Sequence, residues 1–255
     1  MLDLLSRAHG HTLEALAHAN VLLGFDYDGT LAPIVADAAA ASMRRATEHL
    51  LDEVARLYPV VVISGRAQAD LARRLRGIPL AAVVGNHGSE GWHASAARLD
   101  EVRRWLPALE ELAARLPGVT VEEKGVSIAL HYRRSREKKV ARSEIIRLVT
   151  TLRGARVIAG KQVVNILPRD APHKGIALER ARRQLGCDTA LYVGDDRADE
   201  DVFALDQPGQ LLGVRVGRSR ITAAPYTITD QRAIDTLLRT LLDHRRRRQP
   251  RQAIG

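Results

Sequence analysis

Apolar residues follow two textures along this chain. In the first, unbroken apolar runs stop abruptly at polar groups. Val21-Leu22-Leu23-Gly24-Phe25 runs into Asp26-Tyr27-Asp28-Gly29, and Val60-Val61-Val62-Ile63 into Ser64-Gly65-Arg66. A run over 80–84 ends in Gly85-Asn86-His87-Gly88-Ser89-Glu90, and Ala190-Leu191-Tyr192-Val193 ends in Gly194-Asp195-Asp196. Continuous hydrophobicity suits strands covered on both faces, as parallel strands are. Helical spacing predicts helices over 3–19, 43–57, 67–76 and 174–185 between these runs. Alternation of buried strand and helix is the pattern of an α/β, doubly wound parallel-sheet core.

The second texture occupies 100–168. A helix is expected over 100–116, interrupted by Pro107, then strands over 119–123 and 126–132. A basic amphipathic helix over 136–152 and strands over 155–159 and 162–167 follow. These strands alternate apolar and polar residues, so one face of their sheet should be uncovered. Pro168-Arg169-Asp170-Ala171-Pro172 has linker chemistry. The expected organisation is therefore a core from 1–99 and 169–255, with a smaller inserted α/β domain at 100–168.

Composition narrows the classes. A length of 255 residues and 45% hydrophobic content suit a globular protein of this design. No apolar run approaches the roughly 20 residues that span a bilayer, so no membrane partner is expected. The N-terminus lacks the basic flank and long apolar region of a secretory signal. A single cysteine, Cys187, excludes an intramolecular disulfide framework and fits a cytoplasmic setting. The net charge of +9 and the run Arg245-Arg246-Arg247-Arg248 raise the question of nucleic acid. With aromatics at 4% and no nucleic-acid module motif, nucleic acid is not expected as a partner. The arginine run reads instead as a solvated helix end, where basic residues favour the helix dipole. A basic field also gathers small anionic substrates.

The polar groups at the strand ends carry the candidate chemistry, because open α/β sheets bind ligands there. Asp26 and Asp28 repel each other and need a shared cation, a shared proton or open solvent. With a bound Mg²⁺, Asp26 can attack phosphorus and a protonated Asp28 can give its proton to the leaving oxygen. Taken alone, the tetrapeptide also reads as a solvated turn. Ser64, between a strand end and a helix start, can hold phosphate oxygens or merely cap the helix. His87 is either a ligand-facing donor or a loop histidine. Lys174 opens a helix, where its charge is unfavourable with the dipole, so a phosphate or Asp26 should want it there. A second acidic strand end at Asp195 completes an oxygen set for Mg²⁺ together with Asp26 and Asp28. Phosphoryl transfer is catalysed mainly by positioning and charge neutralisation, which these groups supply.

These motifs in this order resemble those of the haloacid dehalogenase superfamily, and more closely the trehalose-6-phosphate phosphatase family. They are Phe25-Asp26-Tyr27-Asp28-Gly29-Thr30-Leu31, Ile63-Ser64-Gly65-Arg66, His173-Lys174-Gly175, and Gly194-Asp195-Asp196 with Asp199-Glu200. The resemblance implies a Rossmann-type core with an inserted cap. It implies Asp26 as nucleophile, Asp28 as acid then base, and Ser64 and Lys174 on the phosphate. Mg²⁺ would be held by the Asp26 side chain, the Asp28 backbone carbonyl and Asp195, with Asp196 and Asp199 behind them. Arg66 and His87 would face the substrate. In the cap, Glu122, Lys124 and Arg133 would bind sugar hydroxyls or phosphate. Gly160-Lys161 and Asn165 match in part, since the family usually has glutamate where Asn165 stands. Arg197-Ala198 also departs from the family's last motif. The implied activity is hydrolysis of trehalose 6-phosphate; separately from the resemblance, a monomer is expected. The alternatives are a phosphatase of sucrose phosphate or mannosyl phosphoglycerate, a non-catalytic sugar-phosphate sensor, and a nucleic-acid-associated protein. Intact Asp26 and Asp28 argue against a dead enzyme.

Overall fold

The computed structural model describes residues 1–35, 40–91, 96–205 and 209–248. Its core is a seven-stranded sheet of β1 (Leu2–Asp3), β2 (Val21–Phe25), β3 (Val60–Ile63), β4 (Ala82–Val84), β9 (Thr189–Gly194), β10 (Leu211–Val216) and β11 (Tyr226–Ile228). The strand order is β1-β11-β10-β9-β2-β3-β4, and every pairing is parallel. β2 and β9, the two strands that end in carboxylates, are neighbours with Phe25 opposite Val193.

The contiguous apolar runs are explained by two different covers. Val21, Leu23 and Phe25 pack with α1 (Gly10–His18), α2 (Arg45–Ala55) and α8 (Ala233–Arg248), through Leu13, Leu51 and Leu238. Leu22, Val61 and Tyr192 face the other way, onto α6 (Lys174–Gln184) and α7 (Glu200–Phe203), through Leu178 and Val202. Alternate strand residues point to opposite faces, so a strand with helices on both sides must be apolar throughout. Gly24 lets α6 approach: a Cβ there would lie 2.7 Å from a Leu178 methyl carbon. α3 (Gln68–Arg74) follows β3.

The inserted unit has its own core. β5 (Thr120–Glu123), β6 (Ile128–His131), β7 (Ala155–Gly160) and β8 (Val163–Pro168) form an antiparallel sheet in the order β5-β6-β8-β7. Ile128, Leu130, Val164 and Ile166 pack against Trp105 and Leu109 of α4 (Ala96–Arg115) and Ile145 and Val149 of α5 (Lys138–Thr151). The intervening residues Glu122, Ala129 and Asn165, aligned across the sheet, occupy the face without helices. The alternation expected from sequence is thus a sheet with one covered face, and the doubly wound core with an α/β insertion is as expected.

Three local expectations are corrected. No single helix spans 3–19: Leu2–Asp3 pairs with β11, and α1 begins only at Gly10. The backbone N–H groups of Leu2 and Leu4 bond Pro225 O and Thr227 O at 3.0 Å, so long-range sheet pairing outcompetes the helix. Pro107 does not interrupt α4, which runs from Ala96 to Arg115 with the proline inside. One lost hydrogen bond is tolerated because Trp105 and Leu109 on either side are buried in the unit's core. The arginine run is not merely a solvated helix end. The Arg245 guanidinium lies 4.3 Å from the Tyr58 ring centroid and donates to Ala17 O at 2.9 Å, while Arg246 pairs with Glu53 at 2.6 Å. The Arg248 side chain lies outside the described residues.

Candidate active site

β2 ends where the Asp26 N–H donates to Val193 O at 2.9 Å, and the chain then turns at Gly29 with φ 91°. A Cβ on Gly29 would lie 2.3 Å from the Asp195 carboxylate, so glycine is needed both for the backbone and for the approach of the second acidic strand end. Asp26, Asp195 and Asp199 each offer a carboxylate oxygen within 4.8 Å of the others.

Lys174 sits at the start of α6 and is buried between these acids, donating to Asp26 Oδ1 and Asp199 Oδ1, each at 2.8 Å. Its unfavourable place on the helix is thereby explained. Burial alone would lower its pKa, but Asp199 and Asp26 outweigh burial and hold it well above the usual lysine range. Burial pushes Asp26 well above the usual carboxylate range despite Lys174. Burial likewise raises Asp195, and raises Asp196 to about 6. Asp199 goes the other way. Burial would raise it, yet Lys174 and hydrogen bonds from Lys174, the Asp196 N–H and Tyr192 hold it low. The Tyr192 hydroxyl donates to Asp199 Oδ1 at 2.8 Å, and the Asp196 N–H to Asp199 Oδ2 at 2.9 Å.

Asp199 is therefore saturated with donors, whereas Asp195 Oδ1 is buried with no hydrogen-bond partner. An unpartnered buried carboxylate oxygen beside a second carboxylate fits a hard divalent cation. The residues present thus suit a metal ion, with Asp26 and Asp195 the better ligands and Asp199 fixing Lys174 behind them.

Asp28 is held differently. Arg66 Nε donates to its Oδ2 at 2.6 Å and Nη2 to its Oδ1 at 2.7 Å, while Arg66 Nη1 bonds Asp70 on α3 at 2.9 Å. Ser64 is buried at the end of β3 with its Oγ accepting from the Arg66 N–H. In the 85–90 turn, Glu90 accepts the Gln68 N–H at the start of α3. His87 has a left-handed backbone (φ 56°) and its ring lies against Gly65. Both His87 ring nitrogens are buried without a partner, and burial, then Lys174, Lys124 and Arg156, push its pKa well below the usual histidine range. The imidazole is therefore neutral.

The uncovered face of the inserted sheet roofs these groups, enclosing a cavity of about 1080 Å³ lined by Asp26, Asp28, Ser64, Arg66, His87, Lys174, Asp195 and Asp196 below. Glu122, Lys124, Arg133, Lys161 and Asn165 line it above. All the residues expected from sequence to touch substrate therefore share one cavity, with Asp199 immediately behind it. Lys124 Nζ reaches across to Gly65 O at 2.9 Å, and Lys161 Nζ lies 3.4 Å from Asp195 Oδ2. Arg133 Nη1 donates to Val35 O at 2.8 Å. Glu122 is bound to His131 at 2.7 Å, a hydrogen bond that holds its carboxyl below the usual range.

Four supporting residues were not anticipated. Tyr192 reads in sequence as one more apolar strand position. Arg215 on β10 donates to Asp195 O at 2.6 Å and Asp196 O at 3.1 Å, bracing the acidic loop. Asn86 accepts from Ser127 Oγ at 2.8 Å and donates to Lys124 O at 3.2 Å, tying the core turn to the roof. Asp70 backs Arg66. Of the four, Asn86 alone is a polar residue inside one of the strand-end motifs Gly85-Asn86-His87-Gly88-Ser89-Glu90, Ser64-Gly65-Arg66 and Gly194-Asp195-Asp196.

Comparisons with known proteins agree with this geometry. The family described as trehalose-phosphatase matches residues 24–230. The chain is 30% identical to the probable trehalose-phosphate phosphatase 4 of Oryza sativa subsp. japonica, over 89% of its own length and 67% of that protein's. It is 34% identical to the trehalose-phosphate phosphatase of Mycobacterium avium, over 80% of its length but only 56% of that relative's. Among solved structures, the C-terminal domain of C. albicans trehalose-6-phosphate phosphatase superposes with a TM-score of 0.78 at 25% identity, covering 92% of this chain and 96% of that one. The family match takes in both acidic strand ends, the buried lysine and the whole roofing sheet, and on that ground the chain belongs to the trehalose-phosphatase family.

Proposed function

We propose that this chain is a Mg²⁺-dependent phosphatase that hydrolyses trehalose 6-phosphate to trehalose and phosphate, acting as a monomer in the cytoplasm. One observation carries the reading: Asp26, Asp28 and Asp195 meet Ser64 and Lys174 at the floor of a cavity whose roof is polar and belongs to a separate sheet. A floor built for phosphate and a roof built for hydroxyls suit a sugar phosphate. We read residues 100–168 as a cap that closes over the sugar.

In this mechanism Asp26 attacks phosphorus, a P–O bond forms to its carboxylate, and the bond to the sugar oxygen breaks. Asp28 gives the departing oxygen its proton. It then takes a proton from water, whose oxygen attacks the phosphorus of the aspartyl-phosphate and restores Asp26. Arg66 donates to both Asp28 oxygens and so fixes the carboxylate, while each oxygen keeps a lone pair on which a proton can be carried. Lys174 and Ser64 hold phosphoryl oxygens as charge builds on them. Mg²⁺, held by Asp26, the Asp28 carbonyl and Asp195, would neutralise phosphate charge and orient the group for in-line attack.

The test is phosphate release by purified protein from trehalose 6-phosphate, sucrose 6-phosphate and glucose 6-phosphate, with and without Mg²⁺. The expected result is a kcat/KM for trehalose 6-phosphate above the others by about tenfold or more, and dependence on the metal. Sucrose 6-phosphate is the serious rival because Asn165 stands where the family usually has glutamate. Preference for it would move the substrate assignment while leaving the chemistry intact.

A further inference from the structure

A second cleft, of about 320 Å³, opens between the roofing unit and the core and shares no lining residue with the active-site cavity. That volume is near the lower end for small-ligand sites. Its walls bring together three arginines: Arg142 from α5, Arg156 from β7, and Arg197 from the loop after β9. The departing dipeptide Arg197-Ala198 therefore lines this cleft. Asp201 is the one carboxylate in its wall.

These cations are poorly matched by their surroundings. Arg142 and Arg197 are exposed and make no hydrogen bond or ion pair to other described residues. Arg156 is half-buried; its Nη2 donates to Ala171 O at 2.9 Å and Pro172 O at 3.2 Å. Its Nε is fully buried with no partner. Burial lowers the Arg156 pKa, and the charges of Asp201 and Asp170 offset this only in part. A half-buried guanidinium flanked by two exposed, unpaired ones is a receptor for an oxyanion, since the guanidinium fork matches phosphate oxygens.

We propose that this cleft binds a small phosphate-bearing anion at a site distinct from the catalytic one. Arg142 and Arg156 belong to the roof and Arg197 to the loop that carries Asp195 and Asp199, so a bound anion would join cap to core. The phosphate could come from two sources: inorganic phosphate, or the ester of a small phosphorylated acid. The site does not depend on the identity of the hydrolysed sugar.

Calorimetric titration with inorganic phosphate and with 3-phosphoglycerate tests it, on wild type, Arg142→Glu and Arg197→Ala. Both arginines are exposed, so both variants should fold, and circular dichroism melts verify this. Wild type should show two binding events for at least one probe. Each variant should weaken one of them by about tenfold or more and leave the other unchanged. Raising the salt should weaken the affected event. Arg142→Glu should keep its kcat/KM measured without added anion. Tighter binding of inorganic phosphate would assign the reaction product as ligand, and tighter binding of 3-phosphoglycerate the organic ester. A single event for both probes, unchanged in both folded variants, would overturn the proposal.

Discussion

Lys174 Nζ and Asp26 Oδ1 lie 2.8 Å apart with both side chains buried. The pair is an ammonium and a carboxylate removed from water, with Asp199 as second acceptor at the same distance. Removing one member of such a group leaves buried charge uncompensated, at a cost of about 3–5 kcal/mol. Lys174→Met, which keeps the volume, should therefore lower stability by about that amount and kcat by about two to three decades. Urea titration and steady-state assays check both. A Lys174→Met protein as stable as wild type would show that the acids are neutralised in some other way.

Asp26→Asn separates chemistry from stability. It removes one carboxylate from a crowded acidic group, while Lys174 keeps Asp199. The fold should survive and turnover should fall by about three decades or more, because an amide is a poor nucleophile. If a verified variant kept roughly a tenth of wild-type turnover, Asp26 would lose the nucleophile role.

Stability and metal binding should be linked through pH. Asp26, Asp195 and Asp196 have raised pKa values in the folded protein, that of Asp196 at about 6. A carboxyl raised on folding binds its proton more tightly in the native state, so its contribution to stability is lost as pH rises from its unfolded value through its folded one. Asp199, held low, has the opposite slope. Mg²⁺ competes with protons for the raised group and relieves its repulsion once ionised. The gain in Tm on adding Mg²⁺ should be smallest in acid, where Asp26 and Asp195 hold their protons, and grow as pH rises past their raised pKa values. Melting curves with Mg²⁺ and with EDTA across that rise in pH test it, and a gain independent of pH would sink the linkage.

Tyr192→Phe deletes a single oxygen. Its hydroxyl is the third side-chain or backbone donor on Asp199, the residue that positions Lys174. A buried hydrogen bond to a charged group is worth about 1.5–3 kcal/mol. We expect a stability loss in that range and a fall in kcat with KM for substrate little changed. A rise in KM alone would mean that Tyr192 supports the cavity's shape and not Lys174.

How legible was this site beforehand? The strand ends of β2, β3 and β9 were plain because strands buried on both faces must be apolar throughout, and their polar ends stand out. Lys174 was legible as a charge misplaced on a helix. The two strands at the β1 side of the sheet were not: β1 has two residues and β11 three, and both exist through pairing with distant segments. β10 was hidden by Gly213 and by Arg215, whose charge is used to hold the carbonyls of Asp195 and Asp196. The tyrosine that orients Asp199 has the same apolar signature as its strand neighbours until the loop seven residues on is folded beside it.

Lys124 tests whether the cap reads the sugar. Its Nζ spans from the roof to Gly65 O, beside Ser64, and Glu122 lies 3.8 Å away. Burial lowers its pKa, partly offset by Glu122. Lys124→Ala should lower kcat/KM for trehalose 6-phosphate by about one to two decades, equivalent to roughly 1.4–3 kcal/mol. A small aryl phosphate, too short to reach the roof, should lose less than about threefold. Equal losses on both substrates would instead mean that Lys124 acts on the phosphate floor through Gly65, and recognition of the sugar would fall to Glu122, Arg133 and Asn165.

Arg245 carries the last prediction, and it reverses what the arginine run suggests in sequence. Its guanidinium stacks on Tyr58, whose own hydroxyl donates to Leu241 O at 2.9 Å. It also donates to Ala17 O, Ala19 O and Leu57 O at 2.9, 3.3 and 3.4 Å. These carbonyls belong to the end of α1 and the segment after α2, so one side chain fastens α8 to both neighbouring helices. A cation–π contact is worth about 0.5–2 kcal/mol and a charged hydrogen bond about 1.5–3 kcal/mol, with much of each offset by desolvation and ordering. Arg245→Ala should thus cost about 2–3 kcal/mol of stability, and truncation after Asp243 at least as much, since it also removes the Arg246 pair with Glu53. None of these groups lines the catalytic cavity, so kcat/KM at 25 °C should stay within about twofold of wild type. Urea denaturation alongside activity assays separates the two effects. Unchanged stability in both variants would restore the solvated helix end, and unchanged stability with lost affinity for nucleic acid would restore the polymer-binding role for the tail.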